Sequence, residues 1–261
     1  MQLILVGDDG SSAAAHAVEW AARLTDERGA TLVVLHVTAV GDTTPQEHGL
    51  PRVVVQDTHP ASAIMKTADD RNADLIVLGR RGSGGFPSLP IGTTAHHVAA
   101  ASGRPVAVVP SVTPTTTRPL VQRAVIGLDG LPGSAEAAAW SVQQWPDAHF
   151  TAVHAVELAP ALAQLDDGAG TELYDRAHAR AAELLRERWA APLVDAGAVF
   201  DTAVQDGGPA EVILDVAARL PADVVVVGRR EHYPLRGTLG GVSQRVLAYA
   251  PCPAVIVPSP S

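Results

Sequence analysis

The chain has 261 residues, 47% hydrophobic and 18% charged. That length fits two α/β units at least as well as one, and that composition excludes wholesale disorder. A formal charge of −9 with no block of Lys or Arg gives no electrostatic track for nucleic acid. No apolar run reaches the length of a signal-peptide core or a membrane span, so we expect no membrane association and a cytoplasmic location. Cys252 is the only cysteine, which excludes an internal disulfide and zinc sites built on paired cysteines. It reads as a small buried hydrophobe.

In chain order, strands are expected at 3–6, 32–37, 53–55, 75–78 and 106–109. Each is a short, continuous, largely β-branched apolar run of the kind buried on both faces of a parallel sheet. A helix is expected over 14–24, where Ala14, Ala17, Val18, Ala21 and Leu24 share one face. Such alternation of strand and helix indicates a doubly wound α/β sheet.

The same phrases then return in the same order. Leu5-Val6-Gly7-Asp8-Asp9-Gly10 reappears as Val125-Ile126-Gly127-Leu128-Asp129-Gly130, and Leu35-His36-Val37 as Val153-His154-Ala155-Val156. Asp57 followed by Pro60-Ala61 matches Asp206 followed by Pro209-Ala210, and 74–81 matches 223–230. The closing Pro105-Val106-Ala107-Val108-Val109-Pro110 matches Pro253-Ala254-Val255-Ile256-Val257-Pro258. Between the copies, 111–119 is rich in Thr and Pro, which favours extended backbone and cannot build a core. We therefore place domains at 1–112 and 120–261, with 113–119 as linker.

One step differs between the copies. His36 to Val53 is far shorter than His154 to Val199, so the first domain is expected to be shortened, its second helix missing. The second domain is expected to supply that helix over 172–196, with Leu173, Ala177, Ala181, Leu184 and Arg188 along one side. The first domain's barer face is a place the second domain is expected to cover.

Ligands of open α/β sheets bind beyond the carboxyl ends of the strands, where strand order reverses. Asp9 ends the first strand and Gly79 the fourth, so both face one crevice if those strands are neighbours. Gly79-Arg80-Arg81-Gly82, then nine residues, then Gly92-Thr93 has a phosphate logic. Glycines admit close backbone approach and positive φ, letting amides turn inward as a nest. Thr93 opens a helix whose first turn offers unpaired amides, with hydroxyls on Thr93 and Thr94. Isolated Gly and Thr more often make a turn and a cap; here they follow a buried strand and share a crevice with Asp9.

Those residues match a family. Gly-x2-Gly-x9-Gly-Ser/Thr resembles the ATP-binding signature of the universal stress proteins, and the likeness extends over nearly the whole chain. It includes the opening Val-Gly-x-Asp-Gly, the His-Val after the second strand and the closing Pro-Val-Ala-Val-Val. The resemblance implies two tandem Rossmann-like domains of the adenine-nucleotide alpha hydrolase type. Each would be a five-stranded parallel sheet of order 3-2-1-4-5 flanked by helices, with ATP and magnesium held between the first and fourth strands. Carried over position by position, Asp9 would contact the ribose side and Val37 would meet adenine through its backbone. Gly79, Gly82, Gly92 and Thr93 would surround ribose and phosphates, with Thr94 beside them. A degenerate second site would hold Asp129, Val156, Gly228, Gly240 and Ser243.

Departures from the signature differ between the halves. The first has Ala95 where the family often has a second hydroxyl, and Thr58 where it often has glycine. The second follows Gly228-Arg229-Arg230 with Glu231 in place of glycine, is one residue shorter to Gly240, and has Gly241 in place of the hydroxyl residue, with Ser243 at the position of Ala95. A carboxylate ~4 Å from a phosphate charge costs on the order of 4 kcal/mol at an effective dielectric of about 20.

No Gly-x4-Gly-Lys-Ser/Thr or Gly-x-Ser-x-Gly occurs, and no arranged base or nucleophile argues for turnover. His96 and His97 are adjacent on a helix and point apart, so they read as solvated or capping. His36 and His154 recur by duplication and are not assigned catalysis. Arg80 or Arg81 is a candidate phosphate partner; Asp8 and Asp57 are left out of the magnesium assignment. The expected function is an ATP-binding stress-response regulator. Slow hydrolysis or self-phosphorylation is at most compatible with it, and an ATP-independent scaffold of the same fold is the alternative. The halves would form an intramolecular pseudo-dimer, pairing through their last strands. A second copy of the chain and a signalling partner of unknown identity are further candidates.

Overall fold

A computed structural model of the chain describes residues 1–38, 52–82, 90–111, 120–157, 169–229 and 239–259. In the first half, β1 (Leu3–Gly7), β2 (Thr31–Thr38), β3 (Arg52–Gln56), β4 (Leu75–Gly79) and β5 (Val106–Val109) alternate with α1 (Ser12–Arg28), α2 (Pro60–Asp70) and α3 (Thr93–Ala101). The second half repeats the pattern with β6 (Arg123–Gly127), α4 (Pro132–Gln144), β7 (His149–Val156), α5 (Ala169–Leu184), α6 (Ala191–Asp195), β8 (Phe200–Asp206), α7 (Pro209–Arg219), β9 (Val224–Gly228), α8 (Gly241–Tyr249) and β10 (Ala254–Val257). The strands at 3–6, 75–78 and 106–109 fall where their apolar runs predict. The β4 run is buried throughout except Gly79.

The ten strands of the described residues form one sheet, in the order β3-β2-β1-β4-β5-β10-β9-β6-β7-β8. Within each half the strands are parallel in the expected order 3-2-1-4-5. The two closing strands then pair antiparallel, Val106 opposite Ile256, Ala107 opposite Val255 and Val108 opposite Ala254. This joins the edges that the closing strands would otherwise expose. One apolar cluster lies on each face, and each draws residues from both halves. On one face Trp20 and Leu24 belong with Trp140 and Leu193; on the other Ile64 and Val98 belong with Ile213 and Leu247.

Repeated polar residues fix repeated corners. Asp74 accepts from the Gln2 and Leu3 amides as Asp223 does from those of Gln122 and Arg123. His36 Nδ1 lies 2.5 Å from the Asp8 carbonyl oxygen and His154 Nδ1 2.8 Å from that of Leu128. Both histidines thus tie the second strand of their half to the loop after the first.

The linker at 113–119 and the shortened connection across 39–51 lie outside the described residues. The second half does not cover the barer face of the first, because β2 and β3 stand at the far end of the sheet from the β5–β10 seam; Val54 on β3 is 60% exposed. The helix expected over 172–196 is broken into α5, a π-helical turn at Leu185–Trp189 and α6. A π turn inserts a residue into the helical repeat. The buried stripe becomes Ala181, Leu185, Ala190 and Leu193, while Leu173 and Arg188 face solvent.

Candidate functional site

Strand order reverses between β1 and β4, which pair directly with Leu5 opposite Ile76, so a crevice opens above them. It forms a cleft of about 340 Å³, within the range of small-molecule sites. Leu35 and Val37 of β2, Ile64 of α2 and Leu78 of β4 supply apolar walls; Asp8, Asp9, Arg81, Thr93 and Thr94 supply polar groups. All seven residues assigned to the first site line it: Asp9, Val37, Gly79, Gly82, Gly92, Thr93 and Thr94.

The tips of β1 and β4 converge tightly. A Cβ added to Gly82 would lie 2.5 Å from Asp9 Oδ2, so the glycine leaves the Asp9 carboxylate room to stand where it does. Asp9 Oδ1 also accepts from the Ser11 amide at 3.1 Å. A Cβ on Gly79 would sit 2.7 Å from the Ala13 backbone, so this glycine serves the seating of α1 on β4. None of Gly79, Gly82 and Gly92 adopts positive φ, which corrects the expectation of a left-handed nest at those positions. Close approach to backbone, not handedness, is what requires Gly79; at Gly92 an added Cβ would meet nothing nearer than 3.5 Å. Asp8 is buried, 6% exposed, and its Oδ1 accepts from the Gly10 amide at 2.9 Å.

Gly92 is the N-cap of α3 and donates its amide to the Arg80 carbonyl at 2.8 Å, closing the turn on itself. No side chain caps α3. The first intrahelical bond runs from the His96 amide to Gly92, so Thr93, Thr94 and Ala95 present amides without intrahelical acceptors toward the cleft. His96 and His97 do not line the cleft. Burial, then the charge of His97, holds His96 below its ordinary value.

The two arginines part company. Arg81 lines the cleft, whereas Arg80 turns away and donates Nη2 to the Ala250 carbonyl of the second half at 2.5 Å. Burial pushes its guanidinium below the ordinary value, opposed by Cys252 and aided by Arg81; it stays charged at neutral pH. Asp57 accepts from the His59 amide at 2.8 Å, in the turn ahead of α2, and does not line the cleft. Cys252 is buried; that burial, with Asp223, pushes its thiol up to about 12 against the pull of Arg80.

In the second half, Asp129 Oδ1 accepts from the Leu131 amide at 3.0 Å, as Asp9 does from Ser11. The rest diverges. Buried Leu128 stands where the first half has Asp8. Gly228 is pressed harder than Gly79, since a Cβ there would lie 2.1 Å from the Gly133 carbonyl oxygen. Ser243 is 3% exposed and donates its hydroxyl to the Gly228 carbonyl at 3.3 Å. Strand register makes Ala155 the counterpart of Val37: Leu35 opposes Gly7 and Val153 opposes Gly127. Val156 lies one step further, on the other face. Gly240 caps α8 as Gly92 caps α3; Glu231 is outside the described residues.

Sequence reasoning left out Asp8 and the apolar walls other than Val37, and did not choose between Arg80 and Arg81. Ile64 was legible in the repeat, because Pro60 and Pro209 are each followed four residues later by isoleucine, the spacing that returns a helix to one face.

The sequence matches the profile of the universal stress protein family over residues 1–52, 43–110 and 121–258. A universal stress protein of Methanocaldococcus jannaschii is 29% identical over 150 residues, 54% of this chain and 84% of its own length. A universal stress protein structure from Archaeoglobus fulgidus aligns with TM-score 0.67 at 17% identity, covering 99% of this chain and 98% of that one. One from Pseudomonas aeruginosa aligns with TM-score 0.65 at 16% identity, covering 99% and 93%. These structural likenesses show the tandem fold. Among the described residues no helix is long and apolar enough to cross a membrane.

Proposed function

The chain belongs to the universal stress protein family, and from that premise we propose that it is an ATP-binding regulator whose nucleotide site is the cleft of the first half. The observation that carries this reading is the meeting of Asp9 with Gly82, which puts a carboxylate, a Cβ-free turn and the amide end of α3 around one cavity. The donor set suits the ligand. Val37 and Leu35 offer an apolar slot for a base, Asp9 an acceptor for ribose hydroxyls, and Thr93, Thr94 and Arg81 donors for phosphates. Magnesium would arrive on the phosphates, keeping several waters.

In this reading the domains are 1–112 and 120–261, and the second is a degenerate copy. There the replacement of Asp8 by Leu128, the engaged Ser243 hydroxyl and Glu231 in the glycine position all work against an anion. Those changes favour a scaffold role for the second half, with ATP sensing or carriage confined to the first. A signalling partner would read the occupied state, in the cytoplasm.

Calorimetric titration of ATP into the wild type, Gly82→Glu and Glu231→Gly tests the assignment. One site is expected in the wild type and none in Gly82→Glu; Glu231→Gly is expected to leave the first site intact. A folded wild type without ATP heat would overturn the nucleotide reading, and unchanged affinity in Gly82→Glu would overturn the placement of the phosphates. Incubation with γ-labelled ATP reports slow hydrolysis or self-phosphorylation.

A further inference from the structure

Two arginines cross the seam in opposite directions. Arg80, after β4, donates to the Ala250 carbonyl at the C-cap of α8. Arg229, after β9, donates Nη1 to the Ser102 carbonyl at the C-cap of α3 at 2.6 Å, and to the Ala99 carbonyl at 3.4 Å. Arg80 and Arg229 are equivalent positions in the repeat, as are Ser102 and Ala250, so the contact is isologous about the Ala107–Val255 pair of the β5–β10 seam.

The symmetry is unequal in effect, because only α3 ends at the cleft described above. The α3 helix has nine residues, about 13 Å at the usual rise. At one end its amides face the cleft; at the other its last carbonyls receive a cation from the other half. A cation there complements the helix dipole and holds the helix along its axis. Arg80 completes the linkage. Its amide donates to the Val109 carbonyl on β5, its carbonyl accepts from Gly92 at the head of α3, and its side chain holds Ala250. The phosphate-facing turn and helix are therefore bolted to the second half at both ends.

We propose that Arg229 is a positioning residue for the first-half site: the second half, whatever its own ligand state, serves as a built-in subunit that fixes α3 and, through Arg80, the turn at Gly82. The proposal rests on the nucleotide reading of the cleft. It implies reciprocal coupling, so that a ligand drawn to the head of α3 tightens the seam by the same factor as the seam tightens the ligand.

The test uses the full chain with Arg229→Met, Arg229→Lys and Glu27→Gln. Glu27 also links the halves, accepting from the Leu120 amide at 2.8 and 3.0 Å, but touches neither α3 nor the turn, so it controls for a general loosening. Loss of one charge-assisted bond predicts about tenfold weaker ATP binding in Arg229→Met, with most of the affinity kept in Arg229→Lys and all of it in Glu27→Gln. Amide exchange in the ligand-free chain is expected to rise in α3 alone for Arg229→Met. Unchanged ATP affinity in Arg229→Met, or an equal fall in Glu27→Gln, would overturn the proposal. Should Arg229→Met not fold, Arg229→Lys decides by showing a partial loss or none. A wild type without ATP binding would sink the nucleotide reading separately; the exchange measurement would then still decide the clasp, with unprotected α3 amides supporting it and unaltered exchange overturning it.

Discussion

The two halves share strand order, corner hydrogen bonds and a glycine at the end of the fourth strand, yet they spend those features differently. In the first half Gly79 seats α1 while leaving Asp8, Asp9, Gly82 and the head of α3 around a cleft. In the second half Gly228 sits harder against Gly133, Leu128 replaces Asp8, and Ser243 turns its hydroxyl to the strand. The second half also carries α5, the π turn and α6, in which Leu185 and Leu193 are fully buried on the face where the first half leaves Val54 exposed. The frame is shared, but polar groups stand at the switch point of the first half and additional buried apolar residues in the second.

Substitutions can break or sharpen that contrast. The largest effect is expected from Gly82→Glu, which sets a second carboxylate against Asp9 and any phosphate; on the order of 4 kcal/mol at an effective dielectric of about 20 corresponds to roughly a thousandfold loss of ATP affinity. Calorimetry checks it, with circular dichroism confirming the fold. Next, Leu185→Ala should destabilise by about 2–5 kcal/mol in urea, the range for large-to-small changes at buried sites. Val54→Thr on the exposed counterpart face should stay within about 0.5 kcal/mol. Equal effects would mean that the extra helices do not stabilise the second half.

A smaller difference is expected between Gly228→Ala and Gly79→Ala. Both force a methyl into backbone, for which overpacking costs about 1–3 kcal/mol. The loss should be larger at Gly228, where the intruding Cβ would lie 2.1 Å from a carbonyl oxygen compared with 2.7 Å at Gly79. Thermal midpoints of the two variants decide the order.

The smallest effect concerns a contact peculiar to the second half. Tyr174 of α5 donates to Asp206 at the end of β8, and His178 Nε2 lies 2.6 Å from the same carboxylate. The Tyr174 bond, then that of His178, lowers the Asp206 carboxyl below its ordinary value; the same bond to Asp206 raises the Tyr174 phenol above its own. The Asp206 contribution is therefore present above about pH 4 and lost as pH falls through its depressed value. The Tyr174 contribution is present below about pH 10 and lost as pH rises through its raised value. In Asp206→Asn, phenolate absorbance attributable to Tyr174 should appear at lower pH than in the wild type; an unchanged titration would count against the contact.

Much of this was legible before any coordinates. Continuous runs such as Leu75 to Leu78 signal buried parallel strands because a residue covered on both faces has no polar alternation to display. Gly79-x2-Gly82 and Gly92-Thr93 mark a turn and a helix start by residue type alone. Less visible was what each feature serves. Nothing in Gly-Arg-Arg-Gly distinguishes Arg81 facing the cleft from Arg80 reaching the other half, since adjacent residues differ only in direction. Nor does the pattern of 172–196 reveal the π turn, which brings Leu185 and Leu193 into one buried cluster with residues distant in the chain. The same limit applies to Val156: one residue of strand register moves a side chain to the opposite face, and the matching phrase Val-His-Ala-Val leaves that register open.

By itself the sequence determined the duplication, the α/β class, the order of strands within each half through the family likeness, and seven of the residues that line one cleft. These depend on local periodicity and residue type, which survive without knowledge of neighbours. Tertiary structure decided the continuous ten-stranded sheet, the crossing of Arg80 and Arg229, and the role of each glycine. Those rest on distances between segments far apart in the chain, and such distances are set only when the two cores pack together.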